Sequence, residues 1–184
     1  MKVVKPGKLN IGDTIGIVAS SLPVLPSHQE QFERGKKMIY DLGFKIYEGK
    51  TIGQKRWWMA GTSKEVAEDI NSMFADKKVK AIMAQTGGYS AITVLEHLDY
   101  ELITNNPKPF LGMSDMTAYH LAIFAKTGMM GFHMDDVLHF NEEFFLKFLT
   151  KAKAPGIVKP LSEWEEWKQG KAAGRLIGGN LYTL

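Results

Sequence analysis

Two short stretches of this chain hold residues whose types and spacing suit chemistry at a carbonyl carbon. The first is "GMSD" (Gly112 to Asp115), where Ser114 and Asp115 occupy a sharp turn between an apolar run and a helical pattern. A serine on a tight strand-to-helix turn projects its Oγ free of the sheet, and the next backbone N–H can stabilise an oxyanion. The turn has the first glycine of the G-x-S-x-G form and lacks the second. Ser and Asp are also favoured helix N-caps, so spacing alone leaves both a nucleophile and a cap open. The second stretch is "QTGGYSA" (Gln85 to Ala91). Two glycines after a strand let the backbone approach a ligand and turn N–H groups toward it, although an ordinary strand-to-helix turn reads the same way.

A serine hydroxyl needs a base, because it is a poor nucleophile at neutral pH. The chain offers five histidines. His28 and His97 fall on helix faces. His120 lies on the helix that follows Ser114 and points away from its Oγ. His139 lies in a loop before a helix. His133, at the expected end of the strand after the Ser114 helix, is the most interesting, with Asp135 and Asp136 close behind it. That group reads as a base with an acidic orienter, as a metal site, or as structure alone. No H-E-x-x-H or comparable ligand spacing occurs, which disfavours a metal enzyme.

The elements that must position these residues follow from periodicity. "DTIGIVASS" (Asp13 to Ser21), "FKIYEG" (Phe44 to Gly49), "VKAIMAQ" (Val79 to Gln85), "KPFLGM" and "MMGFHM" read as strands. Between them, His28 to Leu42, the segment after the capping-box pair Thr62 and Glu65, "AITVLEHL" and "MTAYHLAIFAKTG" read as helices, and Asn141 is placed to cap a last one. "RWWMAGTS" reads as a loop. Strand and helix alternate, which predicts an α/β fold with a mostly parallel sheet flanked by helices. Both glycine-bearing turns then lie at carboxyl ends of strands, where such sheets collect their chemistry. Residues 1–150 form this α/β domain. From residue 151 the texture changes to Lys, Gly and Trp without the same rhythm, as in a linker and the truncated start of a second domain; an edge hairpin is the plainer alternative.

Composition narrows the class. The chain has 184 residues, 45% hydrophobic and 11% aromatic, enough for a sizeable core. The net charge is +3, with scattered lysines, which does not indicate a nucleic-acid surface. There is no cysteine, so disulfide and thiol chemistry are excluded. No run has signal-peptide character or the length to span a bilayer, so no membrane partner is expected and a cytoplasmic location is the default.

Taken in order, "KPGKLNIGDTIGIVASS", "MAGTSKEVAEDINSMFADKKVKAIMAQTGGYSA", "LDYELITNNPKPFLGMSDMTAYHLAIFAKTGMMGFH" and "GRLIGGNL" resemble the landmarks of the LD-carboxypeptidase family of serine peptidases, which also contains the microcin C immunity peptidases. The resemblance covers nearly the whole chain. It implies an N-terminal domain similar to class I glutamine amidotransferases, a β-rich C-terminal domain, and a Ser–Glu–His triad working without metal or cofactor. By motif, Ser114 would be the nucleophile, and the backbone N–H groups of Asp115 and Gly88 the oxyanion hole. Gly87, Tyr89 and His133 would line the substrate site.

Some positions depart from the pattern. The family's triad Glu and His come from beyond the Gly-Gly-Asn-Leu landmark, which here is Gly178 to Leu181, three residues before the last. The expectation is therefore a fragment with the nucleophile half of a site and little or no activity. Met134 and Asp135 follow His133 where the family often has Gly-Pro, and Ile92 and Thr93 stand near where many members have an Arg that bears on carboxylate recognition. Three functions follow from the resemblance: trimming the terminal D-amino acid from murein tetrapeptides during peptidoglycan recycling, cleaving a peptidyl or aminoacyl nucleotide toxin, or a non-catalytic remnant of the fold. For the second, Trp164 and Trp167 of "SEWEEW" could stack on a base. The expected partner is a small peptide or peptide-nucleotide, with a homodimer left open.

Overall fold

The computed structural model describes residues 2–151, 163, 165, 168–175 and 177–184. Five strands, β1 (Thr14–Val18), β2 (Lys45–Glu48), β3 (Val79–Ala84), β4 (Phe110–Gly112) and β5 (Phe132–His133), form one sheet in the order β2-β1-β3-β4-β5. Every pairing is parallel. The connections carry α1 (Gln29–Asp41), α2 (Ser63–Ala75), α3 (Ala91–Val94), α4 (Tyr100–Asn105) and α5 (Met116–Thr127), and α6 (Glu142–Leu149) follows β5.

The strands bury both faces, as the apolar runs require. On one face Val18, Ile82, Ala84 and Phe110 pack with Val66, Ile70 and Phe74 of α2 and with Met116, Tyr119 and Ile123 of α5. On the other, Ile15, Ile17, Ala81, Met83 and Leu111 pack with Phe32 and Ile39 of α1 and Phe145 and Leu149 of α6. Alternate residues of one strand thus serve opposite layers, and the expected α/β architecture is present.

Local signals act where they were read. Thr62 Oγ1 accepts from the Glu65 N–H at 3.2 Å and Glu65 Oε2 from the Thr62 N–H at 2.7 Å, closing the capping box of α2. Asn141 Oδ1 accepts from the Phe144 N–H at 3.1 Å and starts α6. Two elements differ. Helix α4 has no counterpart in the periodicity, because six residues are too few to show a repeat; its signal is Asp99, whose carboxylate accepts from the Leu102 N–H at 2.8 Å. The strand expected from "MMGFHM" shrinks to Phe132–His133. The chain beyond it instead follows the strand ends, with Met134 N donating to Gly112 O, Val137 N to Ala84 O and Leu138 N to Gln85 O.

Beyond residue 150 no described residue belongs to a helix or strand. Asn180 of the late Gly-Gly-Asn-Leu landmark donates its N–H to Thr117 Oγ1 at 2.8 Å, tying that segment to the first turn of α5. Trp164 and Trp167 lie outside the described residues. Among the described residues, no helix is long and apolar enough to cross a membrane.

Candidate active site

Strand β4 ends at Gly112, and α5 begins four residues later at Met116. Gly112 has φ +148°, and a Cβ there would stand 2.6 Å from Met116 Cγ and 3.0 Å from Ala84 Cβ, so the helix comes this close only over a glycine. Ser114 has φ +58°, a left-handed conformation that a side chain rarely adopts. Such a conformation costs on the order of 1–3 kcal/mol and persists only where the surroundings impose it. Here the Met116 N–H bonds to Met113 O at 3.2 Å and the Thr117 N–H to Ser114 O at 3.0 Å, locking the turn from its helical side. This strand–strained serine–helix geometry is that of a nucleophile elbow.

The cap alternative is not what the side chains do. Asp115 makes no side-chain bond to the N-terminus of α5, and the Ser114 hydroxyl has no hydrogen-bond partner among the described residues. The Asp115 carboxylate is buried and turned the other way: Oδ2 accepts from Ser21 Oγ at 2.7 Å and from the Ala91 N–H at 2.9 Å. Ser21 Oγ in turn accepts from the Tyr89 and Ser90 N–H groups, both at 3.0 Å, and lies 3.0 Å from Ser90 Oγ. One hydroxyl therefore spends its single proton on the carboxylate and its lone pairs on two amides. It ties together the loops after β1, β3 and β4. Tyr119 adds a second tie, its OH donating to Ser20 O at 2.6 Å; burial, reinforced by the Asp115 charge, holds that phenol well above its ordinary pKa.

The Gly-Gly loop lies directly against the elbow. A Cβ at Gly87 would fall 2.9 Å from Ser114 Cβ and 3.4 Å from the Asp115 nitrogen. A Cβ at Gly88, whose φ is +158°, would fall 2.2 Å from Ser21 Oγ. Close approach of the two loops is thus paid for in side chains. The Gly88 and Asp115 N–H groups donate to no other group among the described residues, so both are free for a ligand.

The structure redistributes the histidines. His133 does not reach the Ser114 cavity; it lines a different one with His120, Phe124 and Arg175, its ring 6.1 Å from that of His120. β5 ends at His133, and the chain then follows the ends of β4 and β3 to come alongside Gly87. His120 is buried, its Nε2 3.0 Å from Phe110 O, and desolvation lowers its pKa to about 3, so it is a neutral core residue. Asp136, read as an orienter for His133, pairs with His139 instead. Its Oδ1 lies 2.7 Å from His139 Nδ1 and accepts from the His139 N–H at 3.0 Å.

That pair borders a cavity of about 220 Å³ with Ser114, Thr86, Gly87, Gly88 and Tyr89. Burial raises the Asp136 pKa, with the His139 bonds working against the shift. Asp136 Oδ2 is buried and unbonded among the described residues; the Thr86 hydroxyl is near enough to favour the ionised form without reaching hydrogen-bond geometry. The sequence signal was available in "DDVLH", an Asp and His three apart before a helix, but their meeting with Thr86 and Gly87 depends on hydrogen bonds to β3 that no spacing shows. No group of three His, Cys, Asp or Glu able to hold a metal occurs among the described residues. The arrangement offers a serine hydroxyl beside two unpaired backbone donors, the core of an acyl-transfer site, with no base hydrogen-bonded to that hydroxyl.

Comparison with known proteins agrees with this geometry. Residues 15–134 match the family model described as the LD-carboxypeptidase N-terminal domain. The chain is 33% identical to the microcin self-immunity protein MccF of Escherichia coli, over 96% of this chain and 61% of that protein. It is 32% identical to the probable murein peptide carboxypeptidase of Bacillus subtilis, over 98% of this chain and 58% of that one. The solved structure of MccF in complex with aspartyl sulfamoyl adenosine superposes with a TM-score of 0.77 at 33% identity, over 81% of this chain and 48% of that chain. The chain thus spans about 60% of the length of these curated relatives. A parallel sheet of this order, a strained serine at its β4 turn and a family match over most of the described domain lead to one statement: this chain belongs to the LD-carboxypeptidase family of serine peptidases.

Proposed function

We propose that the protein to which this chain belongs is a serine carboxypeptidase that cleaves the L,D-amide bond of murein tetrapeptides, in the recycling of peptidoglycan in the cytoplasm. Ser114 is the nucleophile, and the N–H groups of Asp115 and Gly88 are the oxyanion donors. The observation that carries this reading is the left-handed Ser114, held with a free hydroxyl beside a Gly-Gly loop whose N–H is also free. In the reaction Ser114 attacks the scissile carbonyl, the tetrahedral oxyanion is held by the two N–H groups, the terminal amino acid leaves, and water releases the acyl-enzyme. The general base and its acidic partner come from the portion of the relatives' length that residues 1–184 do not span. Residues 1–150 then act as the nucleophile-bearing domain and 151–184 as the passage to the second. By this reading residues 1–184 alone retain at most a small residual turnover.

The second reading, cleavage of a peptidyl or aminoacyl nucleotide, is favoured by the TM-score of 0.77 to MccF bound to aspartyl sulfamoyl adenosine. The complete gene product, offered a murein tetrapeptide and an aspartyl sulfamoyl nucleoside in parallel, separates the two. The first reading predicts release of the terminal D-amino acid with at least a hundredfold preference in kcat/KM; preference for the nucleoside overturns it in favour of the second. Turnover of neither removes the peptidase function and leaves a binding remnant.

A further inference from the structure

The cavity at Ser114 holds a feature that acyl transfer itself does not use. Among the described residues lining it, His139 is the one with a basic side chain. Its Nδ1 is engaged by Asp136 Oδ1 at 2.7 Å, and the same oxygen takes the His139 N–H at 3.0 Å. The ring is therefore fixed at one edge and its Nε2 is left without a protein partner among the described residues. Asp136 is itself held: it is 1% exposed, and the residues after it are bonded through Val137 N to Ala84 O and through Gln31 Nε2 to Leu138 O. The His139 side chain remains half exposed, at 51%, so its free edge is open to a ligand. No hydrogen bond joins it to Ser114, which argues against a base and for a group that meets another part of the substrate.

Which part follows from chain dimensions. In a peptide losing its last residue, the terminal carboxylate carbon lies within about 4 Å of the scissile carbonyl carbon, by standard backbone bond lengths. If the carbonyl carbon sits on Ser114 Oγ, the carboxylate must fall in the same small cavity. A carboxylate taken out of water needs a charged or strongly polar partner there. An imidazole Nε2–H donates to a carboxylate oxygen, and the contact of Nδ1 with Asp136 fixes the way that edge faces.

We propose that His139, oriented by Asp136, binds the C-terminal carboxylate of the peptide substrate and so makes the site selective for cleavage of the last residue. His139 is then the specificity-determining residue and Asp136 the positioning residue. This rests on the peptidase reading above.

The test compares one L,D-tetrapeptide with a free C-terminal carboxylate and its C-terminal amide, using the complete gene product. Wild type is expected to prefer the acid at least tenfold in kcat/KM. His139→Ala and His139→Gln are expected to bring that ratio to within about twofold of one, through KM for the acid, with kcat/KM for the amide little changed. A structural role for His139 would lower both substrates together and keep the ratio. A variant ratio as large as wild type overturns the proposal and leaves the peptidase reading intact, as does a wild type indifferent to the amide. Failure of wild type to cleave either peptide overturns both.

Discussion

Removing the Ser21 hydroxyl should loosen the loops that carry Ser114, Asp115 and Gly88 while leaving those residues themselves unchanged. In Ser21→Ala the Asp115 carboxylate loses the donor at 2.7 Å and keeps only the Ala91 N–H, and the Tyr89 and Ser90 amides lose their acceptor. A hydrogen bond to a charged group is worth about 1.5–3 kcal/mol, and a buried donor left unpaired costs about 1–3 kcal/mol. The Ser90 amide is buried, whereas the Tyr89 amide is only partly so and water can serve it. The sum comes to about 2.5–6 kcal/mol, or a fall of about 5–24 °C in melting temperature for a domain of this size. Urea unfolding of wild type and variant gives the difference, and amide hydrogen exchange localises it, with Tyr89, Ser90 and Ala91 losing protection. Ser90→Ala is the control: it removes a hydroxyl from the same cluster and leaves Ser21 Oγ, the acceptor of both amides, in place, so it should cost under about 1 kcal/mol. A Ser21→Ala cost below 0.5 kcal/mol, about the least a single net hydrogen bond is worth, or unchanged exchange at Ser90, would refute the idea that this hydroxyl ties the three loops.

Three further perturbations read the structure elsewhere. His120 is neutral in the fold with a pKa of about 3, while its unfolded form takes a proton below about 6.5, so the unfolded state binds more protons and stability falls as pH drops through that window. Between pH 6 and 4 wild type should lose about 2 kcal/mol more than His120→Gln, measured by urea unfolding at each pH; parallel curves would contradict this. Gly35→Ala drives a Cβ to 2.0 Å from Val137 O, so it should destabilise by about 2–3 kcal/mol in chemical denaturation despite the better helix propensity of Ala; a gain of stability would show that α1 does not press on this backbone. Ser114→Gly relieves the left-handed strain and should stabilise by about 1 kcal/mol in thermal unfolding, whereas a loss would mean that the turn is not strained.

Much of the fold was legible because it rests on short-range signals. The apolar runs, the Thr62–Glu65 box and Gly128, which closes α5 with φ +77°, all act locally. The nucleophile turn was legible as a pattern, but its strain was not, since nothing in the residue type Ser signals a left-handed φ. Ser21 was invisible: nothing around it in the chain distinguishes a hydroxyl that bonds residues 68 to 94 positions away. His133 stands at a strand end, where a side chain is marked by its position, whereas His139 lies in a loop whose path no local pattern shows. The chain instead continues along the ends of β3 and β4 by three backbone hydrogen bonds, and that detour brings Asp136 and His139 to Gly87.

The central claim is that Ser114 forms the acyl-enzyme. The most direct measurement is kcat/KM of Ser114→Ala in the complete gene product on a murein tetrapeptide, with its melting curve taken in the same buffer. The account predicts a loss of at least about a thousandfold with folding intact, as for removal of a catalytic serine elsewhere. Activity within a few-fold of wild type would contradict it.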